Sequence, residues 1–116
     1  MEIVDIWYEF EEWSEEIDIN DCNSDVVFEL SDGSKWCAAF YTYQNLLTLS
    51  KKNKNTGELL SGQYFYADKP IFISKMEKGI ILSVINDIIN NEIENEKELL
   101  PCIFTRVEDD YLDGYL

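Results

Sequence analysis

Histidine is absent from the chain, and its absence removes several familiar catalytic arrangements. Neither a Ser-His-Asp triad nor a Cys-His pair can be built without an imidazole to carry the proton. The three cysteines form no C-x-x-C pair, so a zinc site would have too few ligands. The five glycines form neither a phosphate-binding loop nor a dinucleotide-binding motif. The sequence therefore predicts a protein that is not an enzyme and that uses no metal and no cofactor.

Long apolar runs and a basic leader are also missing. The longest apolar runs, such as Gly79 to Ile85, are too short to span a bilayer. The opening Met1-Glu2-Ile3 lacks the basic start of a signal peptide. Cysteines that are odd in number and far apart argue against a disulfide framework, so Cys22, Cys37 and Cys102 are expected to be buried or half-buried thiols. These features predict a cytoplasmic protein without a membrane partner.

Positive charge is scarce, and its distribution is uneven. The net charge is −15, and the first 34 residues contain twelve acidic residues and no Lys or Arg. Residues 33–91 carry seven lysines against four acids, and the rest of the chain is acidic again. A field of this sign repels nucleic acid and attracts a basic protein.

The strongest local pattern is a β-hairpin from Val26 to Tyr43. Two runs of strand-forming residues flank Asp32-Gly33, a dipeptide that suits a two-residue turn. With that turn, Phe28 would lie opposite Cys37 and Glu29 opposite Trp36.

The N-terminal segment has two possible structures. Ile3, Ile6, Trp7, Phe10 and Trp13 recur at helical spacing, whereas Val4, Ile6, Tyr8 and Phe10 alternate as in a strand. The interspersed acids and the length favour an amphipathic helix over residues 3–17. Whether its stripe of Trp7, Phe10 and Trp13 belongs to the core or to an interface is left open by the pattern.

The rest of the chain alternates between helix and strand patterns. Thr42 is predicted to cap a helix over residues 44–54, with Leu46, Leu47 and Leu49 available for burial. Strands are predicted over residues 63–67, 70–73 and 102–107. Ser74 and Glu77 form a capping box that predicts the start of a helix. The apolar stripe of this helix would consist of Ile81, Val84, Ile85 and Ile88. The chain is thus expected to form a single α+β domain over residues 1–116. The domain should contain an antiparallel sheet of about four strands with two or three helices on one face. Residues 108–116 are expected to form a mobile acidic tail.

Several motifs resemble those of a group of small bacterial proteins of uncharacterised or immunity-like type. They are D-G-S-K-W at residues 32–36, F-x-T-Y-x-N-L at 40–46, K-x-T-G-E at 54–58 and G-x-Y-F at 62–65, and the likeness extends from Phe10 to Ile89. The resemblance implies an immunity protein, that is, a small acidic cytoplasmic inhibitor that binds one cognate toxin. It implies no reaction and no catalytic residue.

The charge pattern and this resemblance together favour an inhibitor that binds a basic toxin domain, such as a nuclease, through an acidic surface. A phage or mobile-element protein that mimics DNA is one alternative, and a small adaptor subunit with an apolar patch at the middle of the chain is another. No direct contact with nucleic acid is expected, and the oligomeric state is left open. The predicted partner-binding residues are the acids of the N-terminal segment with one aromatic anchor: Glu11, Glu12, Trp13, Glu15, Glu16, Asp18 and Asp21.

Overall fold

The computed structural model describes residues 1–95 and 98–108, and it confirms the predicted α+β class. The strands are β1 (Ile3–Tyr8), β2 (Asn23–Leu30), β3 (Lys35–Thr42), β4 (Pro70–Ile73) and β5 (Thr105–Arg106). The helices are a 3-10 helix at Glu9–Glu12 and the helices α1 (Tyr43–Thr56), α2 (Glu58–Gly62), α3 (Lys78–Asn95) and α4 (Leu100–Ile103). The predicted tail lies outside the described residues except for Glu108.

The five strands form one sheet in the order β1-β2-β3-β4, with β5 also paired to β3. The pairs β1–β2, β2–β3 and β3–β5 are antiparallel, and the pair β3–β4 is parallel. A parallel pair needs a crossover connection, and α1 and α2 lie in the one that joins β3 to β4. Thr42 caps α1 as predicted, because its hydroxyl accepts a hydrogen bond from the Asn45 backbone N–H at 3.1 Å.

The hydrophobic core lies between one face of this sheet and the helices α3 and α4. Alternate residues of β2 and β3 point into it, and Phe28 meets the ring of Phe104 edge to face at 5.0 Å between ring centroids. Ile81, Ile85 and Ile89 supply the buried stripe of α3. Burial of this stripe explains why the helical period at residues 81–88 was readable from the sequence.

The hairpin forms, but its predicted register is wrong by one residue. Glu29 pairs with Lys35, and Phe28 pairs with Trp36. The loop has three residues, since the Gly33 N–H donates to the Leu30 carbonyl at 2.9 Å and the Leu30 N–H donates to the Ser34 carbonyl at 2.9 Å. A shift of one residue reverses the face of every side chain, and the observed register puts Phe28 and Trp36 together on the core side.

The N-terminal segment is a strand followed by a 3-10 helix, so the preferred prediction of one long helix is wrong. Ile6 and Tyr8 lie opposite Phe28 and Val26 of β2, on the core side. Trp7 lies opposite Val27, on the other side of the sheet. The alternating pattern prevails over the helical one because backbone pairing with β2 is available in the folded chain.

Three further boundaries differ from prediction. Residues 63–67 are not a strand: Gly62 packs against the Ser50 carbonyl of α1, so the next residues follow α1 instead of joining the sheet. Helix α3 begins at Lys78, four residues after the predicted cap at Ser74, and continues to Asn95. The predicted strand over residues 102–107 is reduced to Thr105–Arg106, because α4 occupies residues up to Ile103.

Cys22 and Cys37 are half-buried thiols as expected, whereas Cys102 is exposed.

Candidate functional site

The predicted partner-binding residues lie on a loop between β1 and β2, which we call the acidic loop (residues 11–21). Its first two residues end the 3-10 helix, and the remainder has no regular structure up to Asp21. The side chains of five of these acids are exposed: Glu11, Glu12, Glu15, Glu16 and Asp18. The predicted acids therefore lie close together along the chain and face solvent, although a loop and not a helix presents them.

An ion pair links the start of the acidic loop to α3. The Lys78 ammonium lies 2.8 Å from a carboxylate oxygen of Glu11 and 5.0 Å from the centroid of the Tyr8 ring. Both groups of the ion pair are partly exposed, so the pair contributes less than about 1 kcal/mol to stability. Glu11 is thus held against the body of the domain by a cation of α3.

The end of the acidic loop is fixed more firmly, by contacts with α1 and with the segment before α3. The two carboxylate oxygens of Asp21 accept hydrogen bonds from Asn45 Nδ2 at 3.0 Å and from Thr48 Oγ1 at 2.7 Å. These bonds, that of Thr48 first, lower the pKa of the Asp21 carboxyl. The Ile19 carbonyl also accepts from the Met76 N–H at 2.8 Å. Asp21 therefore holds the loop in place as well as adding negative charge.

Between these fixed ends the loop presents carboxylates around one aromatic side chain. Trp13 is 38% exposed and lines, with the other residues of 12–17, a shallow cavity of about 440 Å³. Among the described residues, no ion pair joins Glu12, Glu15, Glu16 or Asp18 to a cation. Unpaired carboxylates next to an exposed indole can receive Lys or Arg side chains and bury an apolar group of a partner.

The three aromatic residues predicted to form one stripe on an N-terminal helix lie in different environments in the structure. Phe10 packs against the core, Trp7 is half buried on the opposite side of the sheet, and Trp13 is exposed. Phe10 therefore belongs to the core, whereas Trp13 is exposed and its place in an interface stays a prediction.

A second group of titratable residues lies on the sheet face away from α3. Burial raises the pKa of the Cys37 thiol to about 12, and the nearby carboxylates of Asp25 and Glu9 add to the shift. A thiol with this pKa is protonated at neutral pH and is a poor nucleophile. Within residues 1–95 and 98–108, no cluster of three or more His, Cys, Asp or Glu side chains has a geometry that fits a metal ion.

Sequence reasoning missed one contact of the acidic loop and one exposed surface elsewhere on the chain. Lys78 lies far along the chain from Glu11, and nothing in the sequence marks it as a partner. The exposure of Tyr43, Tyr64 and Tyr66 was also missed, because Tyr64 and Tyr66 were assigned to a strand and Tyr43 lies 21 positions before Tyr64. None of the described helices is long and apolar enough to cross a membrane.

Comparison with protein-family models, with curated proteins and with solved structures gives no match to this chain.

Proposed function

We propose that the protein is an immunity-type inhibitor that binds a basic toxin domain through the acidic loop. The observation that carries the proposal is a group of exposed carboxylates, Glu12, Glu15 and Glu16 around the indole of Trp13 with Asp18 further along the loop, for which the described residues supply no cation. Carboxylates at this density accelerate the encounter with a basic protein, and a desolvated tryptophan adds apolar contact area. The anchored ends of the loop support the proposal, because a loop already held in place loses less conformational entropy on binding.

The proposal is tested with two variants of equal net charge. The loop variant carries Glu12→Gln, Glu15→Gln, Glu16→Gln and Asp18→Asn, and the control variant carries Glu2→Gln, Asp5→Asn, Glu77→Gln and Glu94→Gln at exposed positions elsewhere. Each is used with the unchanged protein to recover partners from the native host at 50 and 300 mM NaCl. Recovery of one basic protein by the unchanged protein and the control, with weaker recovery at the higher salt, is expected.

Association kinetics with the recovered protein then separate the roles of the loop residues. The loop variant is expected to associate at least tenfold more slowly than the control, because steering depends on nearby opposite charge. Trp13→Ala is expected to raise the dissociation rate instead. The recovered protein should also arrest growth when expressed alone and lose that effect when this protein is co-expressed.

Two outcomes would overturn the proposal. Equal association rates for the loop and control variants would show that the acidic loop is not the interface. Recovery of several DNA-binding proteins that duplex DNA displaces would favour the DNA-mimic alternative.

A further inference from the structure

A second surface of opposite character lies on the middle of the chain, and we call it the aromatic groove. It is a shallow cavity of about 570 Å³ between the outer side of α1 and the residues from Tyr64 to Phe72. Tyr43, Leu47, Tyr64 and Tyr66 are 60%, 57%, 48% and 73% exposed along it. Leu47 was expected to be buried, and its exposure is one sign that α1 does not use this side for the core.

The rings of the aromatic groove are ordered against one another. Tyr64 and Tyr66 stack with their centroids 6.4 Å apart, and Tyr43 stacks on Phe72 at 6.3 Å. Beneath them, Tyr41 meets Phe65 edge to face at 5.8 Å. Tyrosines held in this way offer apolar contact area with little side-chain entropy left to lose, which is why such residues are enriched at protein interfaces.

The groove adjoins a strained backbone segment. This segment is the middle of α2, where Leu59, Leu60 and Ser61 have φ values of 49°, 52° and 56°. The element is therefore a left-handed turn and not a regular α-helix, and it costs about 1–2 kcal/mol per residue for L-amino acids. The turn leaves the Leu60 side chain 68% exposed. An apolar side chain at such a position adds to the surface open to a partner.

Cations border the groove on α1. Leu47, Lys51 and Lys54 follow one another at helical spacings of four and three residues, so they lie on one side of the helix. Lys52 follows directly, and all three lysines are exposed. The groove therefore has an apolar floor, and Lys51 and Lys54 lie beside it on the same side of α1 as Leu47.

We propose that the aromatic groove docks a peptide segment of another protein that carries apolar side chains and a few carboxylates. The apolar side chains would lie on the stacked rings, and the carboxylates would pair with Lys51 and Lys54. Aromatic rings beside lysines also suit single-stranded nucleic acid. A nucleic acid brings a charge with every nucleotide, however, and the net charge of −15 opposes it more strongly than a peptide with two or three carboxylates. The site would be additional to the acidic loop, so the protein would bind two partners.

A random library of 12-residue peptides, displayed on phage, tests this proposal at 150 mM NaCl. The library is selected on the full chain after depletion on a Leu47→Ser/Tyr66→Ser variant, which removes peptides that bind elsewhere. Both substitutions lie at exposed positions, so the variant is expected to unfold at the same urea concentration as the unchanged protein. Enriched peptides are expected to contain both aromatic or leucine residues and Asp or Glu.

Synthetic copies of the enriched peptides supply the quantitative test. The Lys51→Glu/Lys54→Glu variant keeps the apolar floor of the groove, and it is expected to bind these peptides at least tenfold more weakly than the unchanged protein. If the double serine variant does not fold, this lysine variant replaces it as the comparison. Basic or neutral enriched peptides, or no enrichment after depletion, would contradict the proposal. Tighter binding of a 12-residue oligothymidylate at the groove would assign it to nucleic acid, and groove-dependent dimers in analytical ultracentrifugation would assign it to a second copy of the chain.

Discussion

At the scale of single residues, buried polar groups connect the acidic loop to the rest of the fold. The Thr42 hydroxyl, with no exposed surface, accepts hydrogen bonds from the Asn45 N–H at 3.1 Å and from the Cys22 N–H at 3.2 Å. The Asn45 side chain in turn donates to Asp21. Because a buried backbone donor without an acceptor costs about 1–3 kcal/mol, one threonine stabilises both the start of α1 and the end of the acidic loop.

Asp21→Asn is expected to make stability less dependent on acid pH. Hydrogen bonds lower the folded-state pKa of Asp21 below the unfolded value of about 3.9, so its carboxylate stabilises the fold above that pH. This contribution disappears as the pH falls through the folded-state pKa. Urea midpoints should therefore be higher for the unchanged protein than for the variant at pH 7, and the difference should be smaller at pH 2.5.

Glu15→Gln, an exposed position in the same loop, provides the comparison for Asp21. Its midpoint should stay near that of the unchanged protein at both pH values. A difference at pH 2.5 as large as at pH 7 for Asp21→Asn would show that the carboxylate charge is not what the hydrogen bonds stabilise.

At the scale of elements, the hairpin shows how a turn sets the register of two strands. Gly33 has φ of +85°, which completes a three-residue loop, and the Asp32 carboxylate accepts from the Ser34 N–H at 2.9 Å. The Trp36 indole N–H then donates to Ser34 Oγ at 3.0 Å. The three-residue loop pairs Leu30 with Ser34, and the same register places Phe28 opposite Trp36 on the core side, so turn geometry and core packing agree.

Two glycine substitutions separate turn strain from helix propensity. Gly33→Ala is expected to cost about 1 kcal/mol, because an L-residue pays for the left-handed conformation. Gly79→Ala, in the first turn of α3, is expected to gain about 0.5 kcal/mol by lowering the entropy of the unfolded chain. An added Cβ meets no atom within 4 Å among the described residues at either site, so steric clash does not confuse the comparison. Denaturant unfolding at neutral pH measures both, and changes of equal sign would refute this explanation.

At the scale of the whole molecule, charge is segregated along the chain. The described residues place an acidic loop at one site and, at another, an aromatic groove with Lys51 and Lys54 beside it on α1. A protein with these two surfaces suits partners of opposite chemistry. Repulsion between its carboxylates also opposes folding, since a net charge of −15 on 116 residues favours expanded conformations.

Salt is therefore expected to stabilise the protein. The Debye length falls from about 30 Å at 0.01 M to about 10 Å at 0.1 M, which screens repulsion between distant carboxylates. The melting temperature should rise by several degrees between 10 and 150 mM NaCl. The variant in which Glu12, Glu15, Glu16 and Asp18 are neutralised should rise less. A melting temperature that falls with salt would mean that attractive ion pairs, such as Glu11–Lys78, outweigh the repulsion.

The sequence by itself determined the features that depend on neighbouring residues or on a repeated period. Thr42 caps α1 through a bond to a residue three positions away, and Ile81 and Ile85 show the helical period of α3. The exposed carboxylates of the candidate site were predictable for a related reason, because charged side chains at this density cannot all be buried.

Only the tertiary structure decided the features that depend on partners far along the chain. Ile3–Tyr8 is a strand because β2 pairs with it, and Asp21 holds α1 through Asn45, 24 positions away. The aromatic groove exists because Tyr64 and Tyr66 lie beside α1 instead of entering the sheet. Hydrogen bonds and packing between distant segments leave no period in the sequence, so the fold alone places the acidic loop and the groove.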